Sequence, residues 1–189
     1  MRPQVLISLC SFPLAIKSTA IVGKADNNNC LESCQGDRHK RLDDHCYYWS
    51  TIQRNQEKVE LICNNMKSKN ATGHLAAVTS LDIHKSLMEE VLKIEDENYR
   101  TFWIGGSDKE SEGIWKWADG SDWNFTKWAK ELVANSNGEK YLLEQPTNLR
   151  NQDCLVIYHP GHAKTGWDDH DCYHYHPYFC IWKICPGDK

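Results

Sequence analysis

Five histidines crowd one stretch of this chain: His159, His162, His170, His174 and His176. Neutral imidazole is a common ligand for zinc and its neighbours in the transition series. Asp168 or Asp169, in the same stretch, would add a carboxylate to such a set. His174 and His176 are alternate residues, so on a strand they would share a face. The same rings titrate close to neutral pH, which supports a second reading as an acid-sensitive release device. A third reading is a group of exposed loop histidines that hold nothing. Trp167, Tyr158, Tyr173 and Tyr175 are interleaved with them. Aromatic faces of this kind stack on the apolar face of sugar rings and also anchor protein interfaces. Trp167 and Tyr173 are the ligand-contact candidates, whereas Trp103, Trp115, Trp117 and Trp128 read as core.

The second reactive inventory is sulfur. The chain has nine cysteines, and Cys10 lies in an N-terminal leader. Met1-Arg2-Pro3 is a short basic start, Val5 to Ile16 is apolar, and Ser18-Thr19-Ala20 supplies small residues for cleavage. That layout is a secretory signal over 1–20, too short to span a bilayer comfortably. No second apolar run of spanning length follows, so a membrane span is not expected. The remaining cysteines are Cys30, Cys34, Cys46, Cys63, Cys154, Cys172, Cys180 and Cys185. An even count in an oxidising compartment reads as four disulfides in a secreted, extracellular protein. Zinc–thiolate binding is the alternative, but neither close pair has the two-residue gap usual for it. Asn70-Ala71-Thr72 and Asn124-Phe125-Thr126 are glycosylation sequons. Asn70 lies in a polar loop, whereas Asn124 precedes the Trp128 region and is expected to be hindered.

Composition excludes several function classes. The 189 residues carry a net charge of −4 with no long basic stripe, so nucleic acid is not expected as a partner. No nucleophile–base motif, Gly-rich phosphate loop or His-Glu metal helix is present, so an enzyme is not expected.

The elements that must position these side chains follow from periodicity. Residues 21–29 read as a flexible tail, and Cys34 to Cys46 as a small closed hairpin. Tyr47-Tyr48-Trp49 is a short aromatic strand. Val59, Ile62, Cys63 and Met66 recur at helical spacing, predicting a helix over Gln53 to Met66 with Cys63 on its buried face. His74 to Val78 is extended. Ser80 can cap a second helix with the stripe Ile83, Leu87, Val91 and Ile94. Phe102-Trp103-Ile104, Ile114 to Trp117, Cys154 to Tyr158 and Tyr178 to Trp182 are strand signals. Ala129 to Leu143 is polar and reads as a long inserted loop. Two early helices followed by several strands make an α+β organisation.

Cys46-Tyr47-Tyr48, Cys63 on the first helix, His74 to Val78, Trp103-Ile104-Gly105-Gly106, Trp115-Lys116-Trp117-Ala118-Asp119-Gly120, Trp128, Cys154, Trp167-Asp168-Asp169, Cys172 and Cys180 together resemble the C-type lectin-like domain family. The resemblance covers about 30–185. It implies a long-form domain: two helices flanking short antiparallel sheets, a long irregular ligand loop, and disulfide staples. It implies the pairs Cys63–Cys180, Cys154–Cys172 and Cys34–Cys46. Cys30 and Cys185 remain, just outside the two ends, and in this fold the ends share a sheet. A Cys30–Cys185 bridge would close nearly the whole chain, which the chain-entropy account values at about 4–5 kcal/mol.

Members that bind sugar hold it through a loop calcium. The family supplies its six to eight oxygens from an acid/amide–proline–amide/acid triplet, a Glu before the Cys154-type cysteine, and an Asn-Asp pair after a Trp. Here the corresponding residues are Gln145-Pro146-Thr147, Gln152, and Asp168-Asp169. The proline is expected to be cis. Only two of the five ligand candidates are carboxylates, against three in the mannose-type set, and Thr147 is the clearest departure. Gln145 resembles the galactose-type triplet, which ends in Asp. An auxiliary calcium site matches better, through Asp108, Glu112, Asn148 and Asp153. The resemblance therefore implies a secreted carbohydrate-binding lectin, with glycans or a glycoprotein surface as partner. The alternative is a calcium-independent lectin-like domain that binds a protein.

Overall fold

A computed structural model describes residues 34–66, 72–94, 96, 101–149, 151–158 and 166–184. In chain order the elements are β1 (His39–Leu42), β2 (His45–Arg54), α1 (Gln56–Asn64), β3 (His74–Leu75), α2 (Leu81–Leu92), β4 (Thr101–Ser107), β5 (Lys116–Trp117), β6 (Lys130–Ala134), β7 (Lys140–Glu144), β8 (Cys154–Tyr158), β9 (Gly166–His170) and β10 (His176–Lys183). The main sheet runs β1-β2-β10-β4-β8-β9, with β3 on β10 and β5 on β4. This is the expected α+β organisation.

Both helices start where a side chain can serve an orphan N–H. Asn55 accepts from Lys58 N at 3.2 Å, and Ser80 accepts from Ile83 N at 3.2 Å. The first helix therefore begins at Gln56, not Gln53, because Gln53 and Arg54 continue β2 up to the Asn55 cap. Val59 and Cys63, one turn apart, are its buried residues. The second helix ends at Leu92, so Ile94 of the expected stripe packs on the core from beyond the cap.

The sheet has a core on each face because strand side chains alternate. On β4, Phe102 and Ile104 join Leu155, Ile157, Phe179 and the Leu87 and Val91 positions of α2. Trp103 points the other way, with Val59, Cys63, Val156 and Cys180 beneath α1. Each such fully buried large apolar side chain contributes about 1.5–3 kcal/mol. Gly105 and Gly106 are required by close approach: a Cβ would lie 2.5 Å from Leu75 O at the first and 2.5 Å from Leu155 Cδ2 at the second.

Cys34–Cys46, Cys63–Cys180 and Cys154–Cys172 are bonded, as the resemblance implied. Cys30 and Cys185 lie outside the described residues, as do 1–29, Asn70, His159 and His162. β2 pairs antiparallel with β10, and Ile184 N–H donates to Asp44 O at 2.8 Å.

Two sequence expectations are corrected. The stretch 129–143 is not a structureless loop: β6 and β7 form an antiparallel hairpin from Lys130↔Glu144 to Ala134↔Lys140. Asn135 Oδ1 accepts the N–H groups of Asn137 and Glu139 at 3.0 Å each, and Gly138 takes a left-handed φ of 81°. Local turn chemistry and backbone pairing hold it, while Tyr141 and Leu142 stay exposed, so no hydrophobic alternation marks it. The strand expected from Ile114 shrinks to Lys116–Trp117, and Ile114 stands 58% exposed in the preceding turn.

Candidate functional site

The end of β4 leads directly into the auxiliary set. Asp108 is buried at 3% exposure, and its Oδ2 accepts Gly113 N–H at 3.0 Å. Its Oδ1 is buried with no hydrogen-bond donor. Glu112 lies within reach of Asn148 and Asp108. Burial first, then the charges of Asp108 and Asp153, push the Glu112 carboxyl above the usual range. Asp153 is raised by burial and by Asp108 in the same way. The four expected residues are thus brought together, and their mutual repulsion and the donorless oxygen are what a hard cation would relieve. The oxygen donors present are of the kind that calcium takes.

The principal set is assembled differently. Gln145–Pro146 is a cis peptide bond, as expected from the resemblance. Asp169, 1% exposed, accepts Thr147 N–H on Oδ1 at 2.9 Å and Asn148 N–H on Oδ2 at 2.5 Å. Gln152 Oε1 accepts Leu149 N–H at 3.1 Å, and Gln152 N–H donates to Asn148 Oδ1 at 3.0 Å. Gln145 Oε1 is buried without a partner. Asp168 instead faces the histidines, with Oδ2 3.5 Å from His170 Nε2. Of the two carboxylates, Asp169 is committed to backbone N–H groups and Asp168 to a neighbouring ring. Gln145 Oε1 is thus the one oxygen of this set that is buried and uncommitted. The set fits calcium poorly beside the auxiliary cluster.

The expected ligand aromatics divide. Trp167 is fully buried, so its assignment as a ligand contact is corrected. It packs on Trp117, Trp123, Phe125 and Trp128 with ring centroids 5.5–6.0 Å apart, at interplanar angles of 60–88°. Burying that much ring area outweighs exposing it to a ligand. Its Nε1–H donates to His84 Nδ1 at 3.3 Å, and burial lowers His84 to about 4. Sequence reasoning missed this partner, although His84 recurs at helical spacing with Leu87, Met88 and Val91. Tyr173 is 74% exposed and Tyr175 62%, and both remain available to a ligand.

Tyr173 also edges a cleft of about 280 Å³ lined by Asn55, Lys109, Asn151, Asp153 and Asp171, beside the auxiliary cluster. Asn124 is exposed, so the hindrance expected at this sequon is absent. Among the histidines, His170, His174 and His176 converge, while His159 and His162 are outside the described residues.

The comparisons agree with this architecture. The family model described as Lectin C-type domain matches residues 52–181. Lectin BRA-3 of Megabalanus rosa is 29% identical over 150 residues, covering 78% of this chain and 78% of that protein. The alpha-N-acetylgalactosamine-specific lectin of Patiria pectinifera is 27% identical over 135 residues, 71% of this chain and 72% of that one. The crystal structure of the C-type lectin CEL-I from Cucumaria echinata superimposes with a TM-score of 0.65 at 24% identity, over 81% of this chain and 100% of that one. With the family model spanning both helices and the principal strands, the chain belongs to the C-type lectin domain family.

Proposed function

We propose that this protein is an extracellular lectin that binds galactose-type glycans, with calcium ordering the binding loop. Asp108 carries the calcium part of the reading: a buried carboxylate oxygen without a donor, grouped with Glu112, Asn148 and Asp153. A calcium ion held by these residues would supply the positive charge that the carboxylate cluster lacks. The chain's own residues do the rest. Asp169 pins Thr147 and Asn148 by their N–H groups, which fixes the segment after Pro146. Gln145, Thr147 and Gln152 then offer short polar contacts, and exposed Tyr173 offers a stacking face.

Galactose-type sugar is favoured by Gln145 at the first triplet position and by the N-acetylgalactosamine specificity in the name of the Patiria pectinifera relative. Family membership supports carbohydrate binding in general. The leader over 1–20, the sequons and the disulfides support export. The test is isothermal titration of galactose and N-acetylgalactosamine with calcium and with chelator. The reading predicts saturable heat with calcium; no heat for either sugar rejects it.

A second reading is a calcium-independent domain for a protein partner. It is favoured by the poor fit of the principal set and by the hairpin of β6 and β7, which carries exposed Tyr141 and Leu142.

A further inference from the structure

Three histidine rings meet at the junction of β9 and β10. His170 ends β9, His176 opens β10, and His174 sits in the turn between them. One nitrogen from each lies within 4.8 Å of the other two. His170 Nδ1 and His176 Nε2 are 3.0 Å apart. A tetrahedral zinc with Zn–N bonds of about 2.0–2.1 Å places its nitrogens about 3.3 Å from one another. The His170–His176 pair is therefore already close to ligand spacing. His174 is exposed and supplies the third nitrogen.

The surroundings are built rather than incidental. The turn is clamped from below by Cys154–Cys172. It is closed locally by Asp171, whose Oδ1 accepts Tyr173 N–H at 2.9 Å and whose carbonyl accepts His174 N–H at 3.0 Å. Buried Trp103 forms an apolar floor, with its ring centroid 4.8 Å from His176 and 6.4 Å from His170. That floor holds both rings in place. On the far side of His170, Asp168 Oδ2 is 3.5 Å from Nε2. A carboxylate behind the second nitrogen of a histidine fixes the tautomer that presents the first nitrogen to a metal.

We propose that His170, His174 and His176 form a site for a divalent transition metal of the zinc class, with Asp168 as the carboxylate that orients His170. This site is separate from the calcium cluster. It offers nitrogen donors, which suit zinc or copper, where the Asp108 cluster offers oxygen, which suits calcium. Three protein nitrogens leave a fourth position for water or a ligand group, and Tyr173 and Tyr175, flanking His174 in sequence, stand exposed. The site stands whether or not the carbohydrate reading does.

The test is isothermal titration of untagged, disulfide-intact protein with zinc chloride in millimolar calcium, paired with cobalt(II) absorption spectra. One zinc per chain is expected, with the intense visible bands of four-coordinate cobalt. His174→Ala removes an exposed ring, so that variant keeps its near-ultraviolet circular dichroism and loses at least about tenfold in affinity. Asp168→Asn weakens zinc about ten- to hundred-fold through His170. Absence of saturable zinc binding overturns the proposal. So does binding of parental strength in both His174→Ala and His170→Gln.

Discussion

Asp108 and Trp167 illustrate how single side chains divide the work between site and core. Asp108 Oδ1 is buried without a donor, beside two other carboxylates. Asp108→Asn removes one of three like charges, so it should abolish the calcium-dependent rise in Tm. In the parent, that rise corresponds to about 2.7 kcal/mol at hundredfold excess over Kd. The same variant in chelator should be at least as stable as the parent, because repulsion is relieved. A retained calcium response in differential scanning calorimetry would reject this assignment. Trp167→Ala should cost about 3–5 kcal/mol of stability, whereas Tyr173→Ala should cost under about 0.5 kcal/mol and impair only ligand binding. Denaturant unfolding alongside sugar titration separates the two. His84 adds a pH effect. Its ring falls from 6.5 in the unfolded chain to about 4 in the folded one, so the unfolded state binds the proton first as pH falls. Stability is full above about pH 6.5 and is lost toward pH 4, by about 2 kcal/mol per molecule between pH 7 and pH 5 from this ring. His84→Asn keeps an acceptor for Trp167 and should flatten that slope in guanidinium titrations.

At the scale of elements, the legible parts were those with a strong period or a cap. Val59 and Cys63 on α1, Ser80 before α2, and the apolar runs of β8 and β10 carried their own signals. The β6–β7 hairpin did not, because its pairing is a backbone property and Tyr141 and Leu142 stay exposed. Trp167 was misread for a related reason: an aromatic in a ligand-rich stretch looks like a contact until the other rings of its cluster are placed around it. The oxygen-bearing residues of the two candidate sets were legible through type and order, but their placement depends on the loop that Asp169 ties to Thr147 and Asn148. Replacing 131–143 by a short glycine-containing turn should change stability by about 1 kcal/mol or less, since the hairpin buries little. A larger loss by calorimetry would mean that the hairpin is integral to the core.

At the scale of the whole molecule, the main sheet sets β2 beside β10, and three disulfides staple it among the described residues. Cys34 is held to Cys46, and Cys46 pairs with Trp182, so the described chain sits on neighbouring strands a few residues in sequence from Cys30 and Cys185. Non-reducing peptide mapping should find them joined to each other, and a peptide joining Cys30 to Cys34 would reject that. On this frame the proposed glycan recognition rests on a ligand set with two carboxylates among its five residues. A glycan array probed with calcium and again with chelator tests it most directly. Signals confined to galactose-type glycans and erased by chelator are predicted. An array without glycan signal, from protein that still captures a protein partner in chelator, would contradict the account.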